Sequence, residues 1–268
     1  MIEKKFRIND PIRNFKTILR RLYKKKPYTG DKKLIIHCGY HRGGTTWFNN
    51  VLSAVAGNLG LRYQLCEPEN IAPNTEIYLC NDSKIKLTHL SNYVGTHMIR
   101  DPRDLIVSGY NYHKHTHEPW AHIPRKEYDG KSYQEQLNSL NQYNGLMLEI
   151  ERTSPSIIRM AKWDYSNTKI LELKYEEVIQ NEKEWWRKIF THYGFSNKAV
   201  EDAISIAMQY QINAVKGKQV SRFMTDKHIR SGKEGQWKKM FQQEHKEYFH
   251  ELFGDILIKL EYESDFDW

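Results

Sequence analysis

From Gly39 to Gly44 the chain reads G-Y-H-R-G-G, three glycines and one cation, Arg42, in six positions. Such a loop holds anions: small residues bare their backbone N–H groups, and the cation adds charge. Before it lies a short apolar, β-branched run, Leu34, Ile35 and Ile36, with the pattern of a buried strand. After it, Thr45-Thr46-Trp47-Phe48 opens a run in which Trp47, Val51, Leu52 and Val55 share one helix face. Strand, glycine loop and helix together aim a helix N-terminus at a phosphate. Gly39 and Gly44 have the spacing of G-x-x-x-x-G, but Thr45-Thr46 follows where a nucleoside triphosphate loop has Lys-Ser/Thr. The cation lies inside the loop instead. A phosphate ligand therefore fits this pattern better than a triphosphate does, and a tight turn without a ligand is the plainer alternative.

Two further stretches carry cations where an anion could be held. Tyr93 to Ile99 reads as a strand and runs into Arg100-Asp101-Pro102-Arg103-Asp104. Asp101 or Pro102 would start a helix there, with Asp104 in its first turn and Ser108 about two turns along. In an open parallel sheet ligands collect at the carboxyl ends of the strands. That rule puts Arg100 at the same edge as the Gly39–Gly44 loop. Near the far end, Arg230-Ser231-Gly232-Lys233-Glu234-Gly235 forms another basic, glycine-bearing turn before Trp237.

The elements that must position these residues follow from the periodicity. Arg62–Cys66, Glu76–Cys80, Lys84–His89 and Lys169–Leu173 read as further strands. Ser132–Met160, Glu182–Tyr193, Lys198–Gln211 and Gln236–Leu252 read as helices, and Asn111–Lys131 as a long loop over the site. Strands alternating with helices predict an α/β fold, a central parallel β-sheet flanked by helices on both faces around a P-loop-like core.

Taken in order, the three stretches resemble those of sulfotransferases that use 3′-phosphoadenosine 5′-phosphosulfate (PAPS). The family's Y-P-K-S-G-T-T-W stands here as Tyr40 to Trp47, and its R-[ND]-P-x-D-x-x-x-S as Arg100 to Ser108. Its R-K-G-x-x-G-x-W stands as Arg230 to Trp237. The resemblance implies that Arg42 sits at the oxygen bridging sulfate and phosphate, and that Gly43, Gly44, Thr45 and Thr46 cradle the 5′-phosphate. It implies that Arg100 and Ser108 hold the 3′-phosphate with Arg230, Ser231 and Gly232. Ser231 replaces a basic residue of the motif. Trp47 would stack on the adenine, or else serve only the helix core, and Tyr175 would lie near the same base. The product would be adenosine 3′,5′-bisphosphate, and no metal is required.

The resemblance also implies in-line transfer of a sulfuryl group to an acceptor hydroxyl on a glycan, a phenol, an alcohol or a lipid-linked metabolite. Arg42 and the helix N-terminus at Thr45-Thr46 would stabilise charge growing on the leaving phosphate. For the general base there are two main candidates. His89, in K-L-T-H-L, is similar to the K-T-H motif of cytosolic small-molecule sulfotransferases, although Leu87 stands where the lysine would be. Glu67, in C-E-P, follows a strand end, as a glutamate does in glycan and protein-tyrosine sulfotransferases. His113 is a third candidate and is expected to line the acceptor pocket.

Bulk properties bound the alternatives. The 268 residues suit one α/β domain, over 31–268, behind a basic arm over 1–30. A net charge of +8 favours anionic partners. A P-loop kinase or phosphotransferase would want the missing lysine, and a nucleic-acid-binding protein would want a basic-aromatic platform rather than a nucleotide loop. No nucleic acid partner is therefore expected. In the arm, Ile12, Phe15, Ile18, Leu19 and Leu22 share helical spacing among seven Arg and Lys residues from Arg13 to Lys26. Residues 12–26 could rest on an anionic membrane face, or form a solvated leading helix. Cys38, Cys66 and Cys80 form no C-x-x-C, which suits a reducing compartment. With no apolar stretch near ~20 residues and no signal-peptide pattern, the expectation is a cytoplasmic protein, with or without contact at the inner membrane face.

Overall fold

The computed structural model describes residues 33–212 and 234–268. The basic arm expected over 1–30 lies outside them, as does the turn carrying Arg230, Ser231 and Gly232.

Among the described residues five strands form one sheet: β1 (Leu34–Gly39), β2 (Tyr63–Leu65), β3 (Ile77–Asn81), β4 (Tyr93–Ile99) and β5 (Ile170–Lys174). Their spatial order is β2-β3-β1-β4-β5, and every pairing is parallel. β1 is central and buried along its whole length. That explains the apolar run Leu34–Ile36: a strand covered on both faces has no polar side to alternate with, and His37, the polar residue within it, is buried against Thr96 Oγ1 at 2.9 Å.

Ile35, Ile77, Leu79, Val94 and Met98 face one helical layer. It is built from α1 (Thr45–Leu59), with α6 (Glu182–His192) and α7 (Asn197–Ala207) further along the chain. Leu34, Ile36, Cys38, Tyr78 and Cys80 face the other side. There α2 (Pro102–His113), α4 (Gln142–Ala161) and α8 (Gln243–Phe253) build a second core around Leu105, Ile106, Leu146, Ile150 and Phe249. Each fully buried Leu, Ile or Phe in these layers contributes roughly 1.5–3 kcal/mol. The remaining helices are short: α3 (Tyr133–Ser139), α5 (Tyr175–Gln180) and α9 (Ile256–Lys259). Among the described residues no helix is long and apolar enough to cross a membrane.

Four segments differ from the sequence-based expectation. Lys84–His89 is not a strand. Asp82 and Ser83 take φ of 56° and 50° and turn the chain away at the carboxyl end of β3. The segment then crosses one face of the sheet, packing Ile85, Leu87 and Leu90 on the Leu34–Ile36 side. Parallel neighbours require this return path, so an apolar run there can read falsely as a strand. The expected helix over Ser132–Met160 is two helices. Leu140 is extended, and Asn141 caps α4 by accepting the Asn144 N–H at 2.9 Å. The expected last helix, Gln236–Leu252, is a 3-10 turn (Gln236–Lys239) followed by α8. In the expected loop Asn111–Lys131, α2 continues through His113, and only then does the chain become irregular.

Candidate active site

The loop after β1 is wound on one carbonyl. Tyr40 O accepts the Gly43 N–H at 2.8 Å and the Thr45 hydroxyl at 2.9 Å. Arg42 and Gly44 both take the left-handed region, with φ of 66° and 94°. A Cβ on Gly44 would also lie 2.6 Å from Met98 Cε and 3.3 Å from the Tyr175 ring. Glycine is demanded there twice, by backbone and by space. α1 starts at Thr45 with no side-chain cap and no acidic residue in its first turn. Its first N–H groups are left for an anion.

Arg42 stands against α2. Its Nε donates to Ser108 Oγ at 3.1 Å, and its guanidinium lies 4.2 Å from the centre of the Tyr112 ring. Burial lowers its pKa to about 10; Tyr112 opposes that shift and Arg100 adds to it. The group stays charged at neutral pH. Arg100, at the end of β4, donates to the Arg42 carbonyl at 3.0 Å and lies over the Tyr175 ring at 4.6 Å. Two guanidinium groups from separate elements thus converge on one loop. That costs electrostatic energy unless an anion comes between them. Arg42, Gly43, Gly44, Thr45, Thr46, Arg100, Ser108 and Tyr175 are all gathered at this sheet edge.

The third motif is tied to the second. Asp104, fully buried, accepts the Gly235 N–H at 2.7 Å and the Trp237 N–H at 3.1 Å. Burial raises its pKa, while Arg100 and those two N–H groups lower it. Arg103 stacks on Trp237 at 3.7 Å and on Trp268 at 4.6 Å, and its Nε and one terminal nitrogen grip both Asp101 oxygens. The start of α2 therefore anchors the end of the segment that carries Arg230, Ser231 and Gly232.

The expected bases fall elsewhere. His89 is exposed, three residues before Asn92, whose carbonyl accepts the Leu34 N–H at 3.0 Å. Leu34 opens β1, so the chain near His89 has reached the amino edge of the sheet, while Arg42 lies beyond the carboxyl edge. The strand expected over Lys84–His89 would have ended at the site; the crossover carries His89 away from it. Glu67 does follow the carboxyl end of β2, but its side chain is 57% exposed and pairs with Lys84 at 3.8 Å. β3 stands between β2 and β1, a lateral gap of roughly 10 Å. Trp47 is only 2% exposed, its ring edge-on to Phe48 and Trp186. That is the helix-core position; an adenine would need an open face of the ring.

His113 is close, and it brings residues that the sequence reading missed. His41 Nε2 and His113 Nε2 are 3.0 Å apart, with the two rings nearly parallel at 8°. His113 Nδ1 is 2.9 Å from Glu149 Oε2, which also accepts the Tyr133 hydroxyl at 2.5 Å. Glu149 is 1% exposed. It reaches α2 because position 109 is glycine; a Cβ there would collide with its carboxylate. Burial first, then the positive character of His113, Arg42 and Arg152, holds His41 well below the ordinary imidazole range. Burial lowers His113 as well, with Glu149 opposing it. The one signal in the sequence was a histidine inside the glycine loop. Among the described residues no group of three or more His, Cys, Asp or Glu side chains could hold a metal ion.

Known proteins share this fold. The family model for the sulfotransferase domain matches residues 96–261. The fold resembles retinol dehydratase in complex with androsterone and inactive cofactor PAP, with a TM-score of 0.55 at 15% identity over 87% of this chain and 83% of that one. It also resembles mouse sulfotransferase SULT7A1 complexed with PAP, with a TM-score of 0.58 at 15% identity over 89% of this chain and 91% of that one. No curated protein sequence matches the chain. With the family match spanning more than half of its length, over the β4–α2 cation site and the residues that Asp104 anchors, the chain belongs to the sulfotransferase family.

Proposed function

We propose that this sulfotransferase uses PAPS as its donor and an alcohol or phenol hydroxyl, on a small molecule or a glycan, as its acceptor. The observation that carries the reading is the convergence of Arg42 and Arg100 on an uncapped helix N-terminus, joined by the 3.0 Å bond to the Arg42 carbonyl. The residues fit such a donor. Gly43 and Gly44 let the loop close tightly on itself, since a Cβ on Gly43 would stand 3.0 Å from Tyr40 O and one on Gly44 2.6 Å from Met98 Cε. Gly43, Gly44, Thr45 and Thr46 would hold the 5′-phosphate, and Arg100 and Ser108 the 3′-phosphate. Tyr175, already under the Arg100 guanidinium, would border the nucleoside.

When bound, PAPS supplies an activated sulfuryl group on a phosphate leaving group. Arg42 meets the charge that grows on that phosphate; such fixed donors act most strongly where water is excluded. Ser108 and Tyr112 hold the Arg42 side chain in place. Tyr112 and Trp120 lie beside His41 and His113, and aromatic side chains of this kind suit a sugar or a phenol. The androsterone in the retinol dehydratase complex supports a small-molecule acceptor.

The test is a thermal-shift comparison of adenosine 3′,5′-bisphosphate with ATP, followed by transfer from radiolabelled PAPS to panels of phenols, sterols and glycans. Stabilisation by the bisphosphate and label on an acceptor are expected. Stabilisation by ATP alone would overturn the reading.

A further inference from the structure

We propose that His41 is the general base of the transfer, with His113 and Glu149 as its positioning residues. The proposal rests on the sulfuryl-transfer reading above and names the group that reading leaves open.

Position comes first. His41 adjoins Arg42 in the chain, and both side chains lie against the Tyr112 ring, His41 at 5.7 Å between centroids and the Arg42 guanidinium at 4.2 Å, whereas His89 lies toward the amino edge of the sheet and Glu67 beyond β3. Its backbone is held on both sides, by its own N–H to Asp82 Oδ1 at 3.4 Å and by the loop wound on Tyr40 O. Asp82 is itself fixed, by Ser156 at 3.3 Å and through its carbonyl by Arg159 at 3.0 Å.

Tautomer logic comes next. A carboxylate only accepts, so His113 must donate Nδ1–H to Glu149. In neutral His113 the Nε2 then carries a lone pair. His41 must therefore donate Nε2–H to it, which leaves the lone pair of His41 on Nδ1. No described residue bonds that atom, and His41 is half-buried rather than sealed. The chain carboxylate–imidazole–imidazole thus ends in a lone pair beside Arg42. A buried carboxylate that orients an imidazole and stabilises its protonated form is an established device in acyl transfer; here a second imidazole extends its reach.

The step balances. The acceptor oxygen gives its proton to His41 Nδ1 as the new O–S bond forms. The S–O bond to the 5′-phosphate breaks, and its electron pair goes to the phosphate oxygen beside Arg42. The products are a sulfate ester and adenosine 3′,5′-bisphosphate. The imidazolium on His41 is stabilised through Nε2–H, His113 and Glu149. Groups facing His41 are Asp82 from the end of β3, Arg42 in the loop, Tyr112 and His113 on α2, and Arg152 and Glu149 on α4. Its lowered pKa keeps it neutral and ready to accept, and an anion beside Arg42 raises that pKa and strengthens the base.

The test compares wild type with His41→Gln and Glu149→Gln by three measurements: adenosine 3′,5′-bisphosphate affinity, kcat, and kcat/KM against pH. His41→Gln is expected to lower kcat by about 10²–10⁴-fold, to leave bisphosphate affinity within about three-fold, and to abolish the acid limb of the profile. Glu149→Gln, which keeps shape and volume, is expected to move that limb to lower pH with a smaller loss of kcat, on the order of ten-fold. Should His41→Gln fail to fold, the Glu149→Gln profile decides alone. An unchanged acid limb with kcat near wild type in either variant overturns the proposal. Wild type that neither binds the bisphosphate nor transfers label would instead sink the donor reading, so the two failures are distinct.

Discussion

Asp104 and Trp237 stand 133 residues apart in sequence, yet the buried Asp104 carboxylate accepts the Trp237 backbone N–H at 3.1 Å. Its other oxygen takes the Gly235 N–H at 2.7 Å. One side chain in the first turn of α2 thus fastens the late motif to the cation site. The same turn sends Arg103 under the Trp237 ring, so charge and stacking hold one junction.

Removing that carboxylate leaves two N–H groups without their acceptor. Asp104→Ala is expected to destabilise the fold by about 1–3 kcal/mol for each orphaned donor. Asp104→Asn, which keeps one acceptor oxygen, should lose about half as much. Urea denaturation of the three proteins measures the series; equal midpoints would show that the junction contributes nothing.

Arg42 separates charge from shape. Arg42→Ala is expected to lower kcat by about 10²–10³-fold, while bisphosphate binding survives on Arg100, Ser108 and the loop. Arg42→Lys should recover part of the rate, because the charge returns without the bond to Ser108 or the flat contact on Tyr112. Steady-state kinetics with titrated bisphosphate would read both. Full activity of the alanine variant would remove Arg42 from the reaction.

Two glycines near the start of the chain should answer oppositely to alanine. Gly44→Ala meets φ of 94° and Met98 Cε at 2.6 Å, so a loss of about 1–3 kcal/mol is expected. Gly57 lies inside α1, exposed, with nothing within 4 Å of a new Cβ. There alanine should stabilise by about 1 kcal/mol. Thermal melts of both variants test the contrast; a Gly44→Ala melt at or above wild type would contradict the cradle geometry.

Glu182 opens α6 in a buried position and accepts the Ile212 N–H at 3.1 Å. Burial raises its pKa to about 7, and that N–H opposes the rise. The folded state therefore holds a proton that the unfolded chain has released. Stability from this group is full below the ordinary glutamate range and declines as pH rises, until about 7. Above that it is flat. Glu182→Gln should erase the slope and melt higher than wild type at pH 8. Parallel melts from pH 4 to 8 would show it, and identical slopes would exclude Glu182 as their source.

The sequence alone determined the frame and the meeting of Arg42 and Arg100. β1, the glycine loop and α1 are local, readable from an apolar run, three glycines and one helix face. Arg100 to Ser108 is local in the same way, set by a strand end, a proline and a capping aspartate. The parallel rule then brought Arg42 and Arg100 to one edge without a coordinate. Where a segment's role depended on its neighbours, the pattern misled. Lys84–His89 has the composition of a strand, but positive φ at Asp82 and Ser83 sends it back across the sheet, and His89 leaves the site with it. The grouping of His41, His113 and Glu149 was invisible for another reason. It spans 108 positions and depends on α2 and α4 touching at Gly109, which no one-dimensional periodicity encodes. Tertiary packing alone decided which histidine and which carboxylate join His41 next to the glycine loop.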